Sequence, residues 1–167
     1  GYFSSDFNNH SVAFLLAGIL ESHDKSKFKI YTYSLSNIND EYTTRIKKSV
    51  DCFREVNHLS DLEIVNLARN DQIDIAIDLN GYTKNNRISI FSYRVAPIQV
   101  NYLGYPGTTG SKFFDYILAD QVIIPEENKK FYTEKVLYLP NSCIPHDNNK
   151  HISDNKFSRE EVGLPVD

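Results

Sequence analysis

The chain has 167 residues, 41% hydrophobic and 24% charged, with a net charge of −4 and 18 basic residues scattered along it. That length holds one α/β domain with a real core, and the composition is that of a soluble globular protein. Scattered basic residues argue against a nucleic-acid surface, which needs a basic stripe, and no apolar run approaches the ~20 residues of a membrane span. Cys52 and Cys143 have no second pair. A reduced intracellular setting is the simplest reading, with a single disulfide as the alternative. No C-x-x-C, H-E-x-x-H or acidic cluster is present, so no metal site is expected. The opening without Met, on what reads as mid-strand, suggests a piece of a longer protein.

In chain order, residues 1–4 read as the end of a strand and residues 5–11 as a polar loop. Ser11 is expected to cap a helix over 12–22, because its hydroxyl can accept from a free N–H of the first turn. Phe14, Leu15, Gly18 and Ile19 mark one side of that helix, widened by Leu16 and Leu20. Residues 28–34 alternate apolar and polar β-formers and predict a strand. Asp40 opens a helix to about Val50, and residues 52–56 form a short strand. Ser60 and Glu63 make a capping box for a helix over 61–70. A strand over 73–79 ends at Asn80-Gly81-Tyr82-Thr83. A helix over 87–93 stops before Pro97, and a strand over 98–102 follows. Residues 114–120 are the next strand, 124–132 a short helical or irregular piece, and 134–140 the last strand. Residues 141–155 carry few apolar side chains and read as a linker. Ser158-Arg159-Glu160-Glu161 resembles the first turn of a helix that Gly163-Leu164-Pro165 stops. This alternation predicts an α/β, Rossmann-like parallel sheet with helices on both faces.

In such a sheet, loops after strands gather at the carboxyl edge. Three of them are polar: residues 4–11, 80–83 and 103–110. The third, Leu103-Gly104-Tyr105-Pro106-Gly107-Thr108-Thr109-Gly110, holds three glycines and a proline, so it is a tight turn with an open backbone. His10 sits where loop becomes helix. The positive helix end there disfavours a second positive charge and favours an imidazole that accepts or donates a hydrogen bond. The bland alternative is a residue that only completes the cap. Asp78, with Asn80 and Thr83 just beyond it, offers the mix of donors and acceptors that hydroxyl recognition requires. Tyr82, Tyr102 and Tyr105 could stack on a sugar ring, whereas Asp6 and Asp120 sit at strand ends, Asp120 as a cap. His23 and His58 read as surface turns, His146 and His151 as linker. Neither G-x-x-x-x-G-K-[ST] nor G-x-G-x-x-G is present, so residues 103–110 do not read as a phosphate loop.

Five strings in order then carry a resemblance: Gly1-Tyr2-Phe3-Ser4-Ser5-Asp6-Phe7 with Asn9-His10, Asn80-Gly81-Tyr82-Thr83-Lys84, Ala96-Pro97-Ile98-Gln99-Val100, the Gly-rich loop, and Asp115-Tyr116-Ile117. Together they resemble the catalytic region of O-GlcNAc transferases, family 41 of the glycosyltransferases, over nearly all of residues 1–145. Spindly-type protein O-fucosyltransferases of the same family share some strings. They typically have Thr-Gly-His-Thr where this chain has Asn80-Gly81-Tyr82-Thr83, so Asn80 and Tyr82 favour the GlcNAc branch.

The resemblance implies a GT-B architecture, with residues 1–145 as the N-terminal catalytic lobe and 146–167 as linker and start of the C-terminal lobe. It implies inverting transfer of GlcNAc from a UDP-GlcNAc donor to Ser or Thr of intracellular proteins, without metal or other cofactor. His10 and Asp78 match positions discussed for catalysis, His10 more as a positioning group, and some members carry Asn at the place of Asp78. Asn80, Thr83, Leu103, Gly104, Tyr105 and Pro106 match substrate-binding positions. The partners implied are the donor, acceptor proteins, a C-terminal lobe with the diphosphate contacts, and upstream tetratricopeptide repeats, in a cytoplasmic and, in a eukaryote, also nuclear setting. This stretch alone is expected to be inactive. The alternatives are GDP-fucose transfer of the Spindly type and a non-catalytic interaction module.

Overall fold

The computed structural model describes residues 1–150 and 154–165. Its elements are β1 (Tyr2–Ser4), α1 (Ser11–Ser22), β2 (Tyr31–Ser34), α2 (Glu41–Ser49), β3 (Cys52–Glu55) and α3 (Asp61–Asn70). There follow β4 (Ile75–Asp78), α4 (Ser89–Ser92), β5 (Ile98–Asn101), β6 (Tyr116–Ala119), a 3-10 helix (Glu126–Phe131) and β7 (Lys135–Tyr138). The strands form one seven-stranded sheet in the order β3-β2-β1-β4-β5-β6-β7. Every neighbouring pair is parallel.

The period-2 alternation of a strand sends neighbouring side chains to opposite faces. Tyr2 packs with α1 and α2 against Leu16, Leu20 and Ile46, while Phe3 packs with α3 and α4 against Ile64, Val65, Ile90 and Phe91. Both faces are therefore covered, which an all-parallel sheet requires. The Phe3 and Tyr33 rings stack at 4.4 Å across the β1–β2 pair, a contact worth about 0.5–1.5 kcal/mol beyond its buried area.

Several boundaries differ from the sequence expectation. β2 starts at Tyr31 rather than residue 28, because its neighbour β3 starts at Cys52, the partner of Tyr31. Before it, Lys27 and Phe28 N–H groups close a turn on the Asp24 carbonyl, and Phe28 is exposed. α1 buries Leu16 and Leu20 of the expected stripe, but with Val12, Ala13 and Ala17 rather than with Phe14, Leu15, Gly18 and Ile19, which are only half-buried. Phe14 instead meets Tyr42 of α2 at 4.7 Å. The helix is apolar nearly all round because more than one flank is covered. α4 is shorter than expected, ending where Arg94 takes a left-handed backbone of φ 57°. The capping box at Ser60 forms as the sequence implies, and Asp40, expected only to open its helix, forms a second one with Thr43.

The stretch after β7 is docked rather than free. Cys143 N–H donates to Asp120 Oδ2 at 2.7 Å, and the Tyr102 hydroxyl donates to the Cys143 carbonyl at 2.9 Å. Asp147 is buried over Gly18 and paired with Arg45 of α2 at 2.7 Å, with Glu21 on the other side of the guanidinium. Tyr102 is thus a core residue, not a sugar platform. Asp120 caps its turn through the N–H groups of Val122 and Ile123, as expected. His23 is half-buried against the Tyr2 hydroxyl at 2.9 Å. Residues 159–163 form turns rather than a helix, although Ser158 and Glu161 do exchange cap hydrogen bonds. His151 lies outside the described residues.

Candidate functional site

β1 is flanked by β2 and β4, so the order in which strands are added reverses at the β1/β4 boundary while every strand stays parallel. Open α/β sheets bind ligands outside the carboxyl ends of the strands at such a switch point. A cleft of about 530 Å³ lies there, walled by Ser5, Asp6 and Asn8 after β1, His10 and Leu15 at α1, Ser36 and Ile38 after β2, Thr83–Asn85 after β4, and Leu103 and Gly104 after β5. Thus all three polar loops converge, as the sequence predicts. Ser36 and Ile38 were not foreseen, since no local pattern marks them.

His10, not Ser11, is the N-cap of α1. Its Nδ1 accepts the Val12 N–H at 3.2 Å. A ring nitrogen that accepts carries no proton, so the neutral ring holds its proton on Nε2, the atom left for a ligand. The Asp6 carboxylate is 4.0 Å from Nδ1, beyond a hydrogen bond. The cap and the ligand-facing readings of His10 are therefore compatible: one nitrogen serves each. The turn ahead of it is held from α2, where Asp40 Oδ2 accepts the Asn9 N–H at 2.5 Å and the Thr43 hydroxyl donates to the Phe7 carbonyl at 2.7 Å.

Asn80 is fully buried, at 0% exposure, and joins two loops. Its Oδ1 accepts the Ser5 N–H at 2.9 Å. Its Nδ2 faces Asp6 Oδ2 at 2.7 Å, Ser5 Oγ at 3.0 Å and Thr83 Oγ1 at 3.2 Å. Asn80 shapes the cleft from beneath; Thr83 is on its wall. Asp78, 3% exposed, is buried beside it at the end of β4. Its two oxygens accept the N–H groups of Asn80 at 3.0 Å and Gly81 at 3.1 Å, which fixes the turn where Gly81 takes φ 56°. Asp78 does not line the cleft. Tyr105 and Pro106 turn away and line a separate cavity of about 60 Å³ with Leu118, Cys143 and Ile144. Tyr82 is exposed, its hydroxyl donating to the Thr109 carbonyl at 2.7 Å. Thr108 and Thr109 are not open: Glu134, which no nearby motif announced, holds both. Among the described residues, no group of three or more His, Cys, Asp or Glu is arranged to hold a metal ion, and no helix is long and apolar enough to cross a membrane.

Burial pushes the Asp78 carboxyl from its ordinary 3.8 up to about 6, against the pull of the two N–H donors. The folded state then holds this proton between about pH 4 and 6 while the unfolded chain has lost it, so this group favours folding at low pH and that contribution is lost as pH rises through 6. Asp78→Asn removes the titration. The stability difference between wild type and Asp78→Asn is expected to shift by about 2 kcal/mol between pH 4.5 and 7.5, wild type losing ground as pH rises. Urea denaturation at both pH values measures it, and a constant difference would show that Asp78 is not desolvated.

With the fold and cleft defined, comparison with known proteins settles the family. The family described as Glycosyl transferase family 41 matches residues 1–159. The chain belongs to glycosyl transferase family 41. Among its curated relatives is the Arabidopsis thaliana probable UDP-N-acetylglucosamine–peptide N-acetylglucosaminyltransferase SEC, 38% identical over 173 aligned residues that take in 100% of this chain and 18% of the relative. The Caenorhabditis elegans UDP-N-acetylglucosamine–peptide N-acetylglucosaminyltransferase is also 38% identical, over 92% of this chain and 14% of the relative. A mutant form of the Thermobaculum terrenum O-GlcNAc transferase superposes with a TM-score of 0.85 at 30% identity, over 99% of this chain and 34% of that one. The parallel sheet is thus the Rossmann-like catalytic lobe of the family 41 fold. The chain spans less than a fifth of these curated relatives.

Proposed function

We propose that this chain is the N-terminal catalytic lobe of a protein O-GlcNAc transferase, and that its cleft places donor sugar and acceptor for inverting transfer from UDP-GlcNAc to a Ser or Thr hydroxyl. The observation that carries this reading is the switch-point cleft with His10 on its wall, one ring nitrogen committed to the α1 cap and the other available. Relatives at 38% identity bear that enzyme's name.

In the reaction the acceptor oxygen attacks the anomeric carbon, the C–O bond to the diphosphate breaks and UDP departs with the bonding pair. Charge then builds on the diphosphate. The cleft wall is made mainly of neutral polar and apolar side chains, suited to holding hydroxyls rather than a diphosphate. Neutralising UDP belongs to a second lobe, without a metal ion, in a cytoplasmic enzyme with upstream tetratricopeptide repeats. This lobe contributes placement, which lowers a barrier by several kcal/mol. Asp78 and Asn80 act as positioning residues beneath the cleft, Thr83, Leu103 and Gly104 as its wall, and Tyr105 and Pro106 pack behind that wall.

Two variants of the full-length enzyme test this. Asn is a strong N-cap residue, so His10→Asn keeps the α1 cap and removes the imidazole. It is expected to leave the melting temperature nearly unchanged and to cut turnover of UDP-GlcNAc with a Ser/Thr peptide about 100-fold. His10→Ala adds a loss of about 1 kcal/mol of stability. Full turnover in His10→Asn would reduce His10 to its cap. A relative at 34% identity, from Oryza sativa, bears the SPINDLY name, so GDP-fucose is the donor to run in parallel.

A further inference from the structure

Glu134 lies just ahead of β7, two strands away from β5, yet the Gly-rich loop after β5 is built on it. The side chain is 4% exposed. Its Oε1 accepts the Thr109 N–H at 2.7 Å and also the Thr109 hydroxyl. Its Oε2 accepts the Thr108 hydroxyl at 2.7 Å and the Thr133 hydroxyl at 3.1 Å. Four donors thus converge on one carboxylate.

The direction of two of these hydrogen bonds, one at each oxygen, is fixed. Thr108 Oγ1 already accepts the N–H groups of Gly110 at 3.1 Å and Thr133 at 3.2 Å. Both lone pairs are used, so its single proton must meet an acceptor, and Glu134 Oε2 at 2.7 Å is nearer than the Thr133 hydroxyl oxygen at 3.2 Å. On the other side, the Thr109 N–H is a donor that cannot reverse. An amide of the same shape would therefore set NH2 against a donor in either orientation. Only a group that accepts at both oxygens fits.

The same loop supplies Leu103 and Gly104 to the cleft wall. Between the two ends its path is short and is held from other sides as well: Asn101 Nδ2 donates to the Tyr105 carbonyl at 3.2 Å, the Tyr132 hydroxyl to the Pro106 carbonyl at 3.0 Å, and Tyr82 packs on the Tyr105 ring and donates its hydroxyl to the Thr109 carbonyl at 2.7 Å. Tyr132, Thr133 and Glu134 together form one grip on the far half of the loop. Burial works against ionisation of Glu134, but the hydrogen bonds from Thr109 and Thr108 outweigh it and hold the carboxyl below its ordinary range.

We propose that Glu134 is a positioning residue for the reaction: as an obligate carboxylate it fixes residues 103–110, and through them the Leu103–Gly104 wall of the cleft, without touching substrate. The kinetic readout of this proposal rests on the transferase reading above; the structural readout does not.

The test compares wild type and Glu134→Gln in the full-length enzyme by melting, by backbone hydrogen exchange and by transfer from UDP-GlcNAc to a Ser/Thr peptide. The expected result is a melting temperature lower by several degrees in a lobe that still folds, and a fall in kcat of about tenfold or more. Amides 103–105 at the cleft should exchange faster, together with 109–111 beside the substitution. A brace with only local effect would free 109–111 alone; unchanged exchange at 103–105, or unchanged kcat in an enzyme whose wild type is active, overturns the proposal. If wild type transfers nothing from UDP-GlcNAc, the transferase reading falls and exchange at 103–105 decides the matter. Should Glu134→Gln not fold, Thr108→Val, which removes one of the four donors, carries the same comparison.

Discussion

Gly104→Ala is expected to destabilise the lobe by at least about 3 kcal/mol. A Cβ on Gly104 would sit 2.0 Å from the Leu79 carbonyl oxygen and 3.1 Å from its carbon. The obstacle is backbone at the end of β4, so no rotamer change relieves it. Either β4 or the loop after β5 must move, and both carry cleft residues. For a chain of this length the loss corresponds to a melting temperature about 6–12 °C lower. Gly110 supplies the control. A Cβ there meets nothing within 4 Å, but the backbone is left-handed at φ 65°, so Gly110→Ala should cost only the conformational term of about 1–2 kcal/mol. Equal losses at the two positions would show that the close approach of Gly104 to Leu79 is not what holds the wall.

A comparable loss, about 3 kcal/mol, is expected for Asn80→Ala, because the Ser5 N–H is left buried without its acceptor and Asp6 and Thr83 lose a common donor. Asn80→Asp should be worse at neutral pH. It replaces the amide that faces Asp6 Oδ2 at 2.7 Å with a second carboxylate, and two like charges there cannot both stay ionised. Acidification, which lets the pair share a proton, should recover part of that loss, whereas Asn80→Ala should show no such recovery. Urea denaturation at pH 5 and 7.5 separates the two variants. If Asn80→Asp matched Asn80→Ala at both values, the tie between the loops after β1 and β4 would not run through this amide.

The parts of the fold that read directly from sequence are those fixed within a turn of chain. The Ser60–Glu63 box and the Asp40 cap depend on residues three apart, and both form. Strand identity was legible from alternation, and so were the starts of β3 and β5; the start of β2 was not, because Tyr31 begins β2 only where Cys52 of β3 can pair with it. The convergence of three loops followed from parallel topology alone. Depth within the site did not. Nothing local separates Thr83, on the wall, from Asn80, wholly beneath it, or shows that Tyr102 spends its hydroxyl on Cys143 across 41 residues. The Thr108 and Thr109 hydroxyls looked open because their partner, Glu134, arrives 25 residues later. Likewise the stretch after β7 has the composition of a linker, and docks through polar ties to Asp120 and Arg45 that composition does not reveal.

The central place of β1 has a consequence for how the lobe is made. Among the strands of this sheet β1 is made before its two partners; β2 is complete at Ser34, but β4 begins only at Ile75. About 40 residues separate them, which at about 5–20 residues per second is about 2–8 s of synthesis. Through that interval Tyr2 and Phe3 sit on an unpaired strand edge, the form of surface that invites pairing with another chain. The nascent lobe is therefore most exposed to aggregation, and most in need of a chaperone's cover, after β2 has formed and before β4 closes the gap.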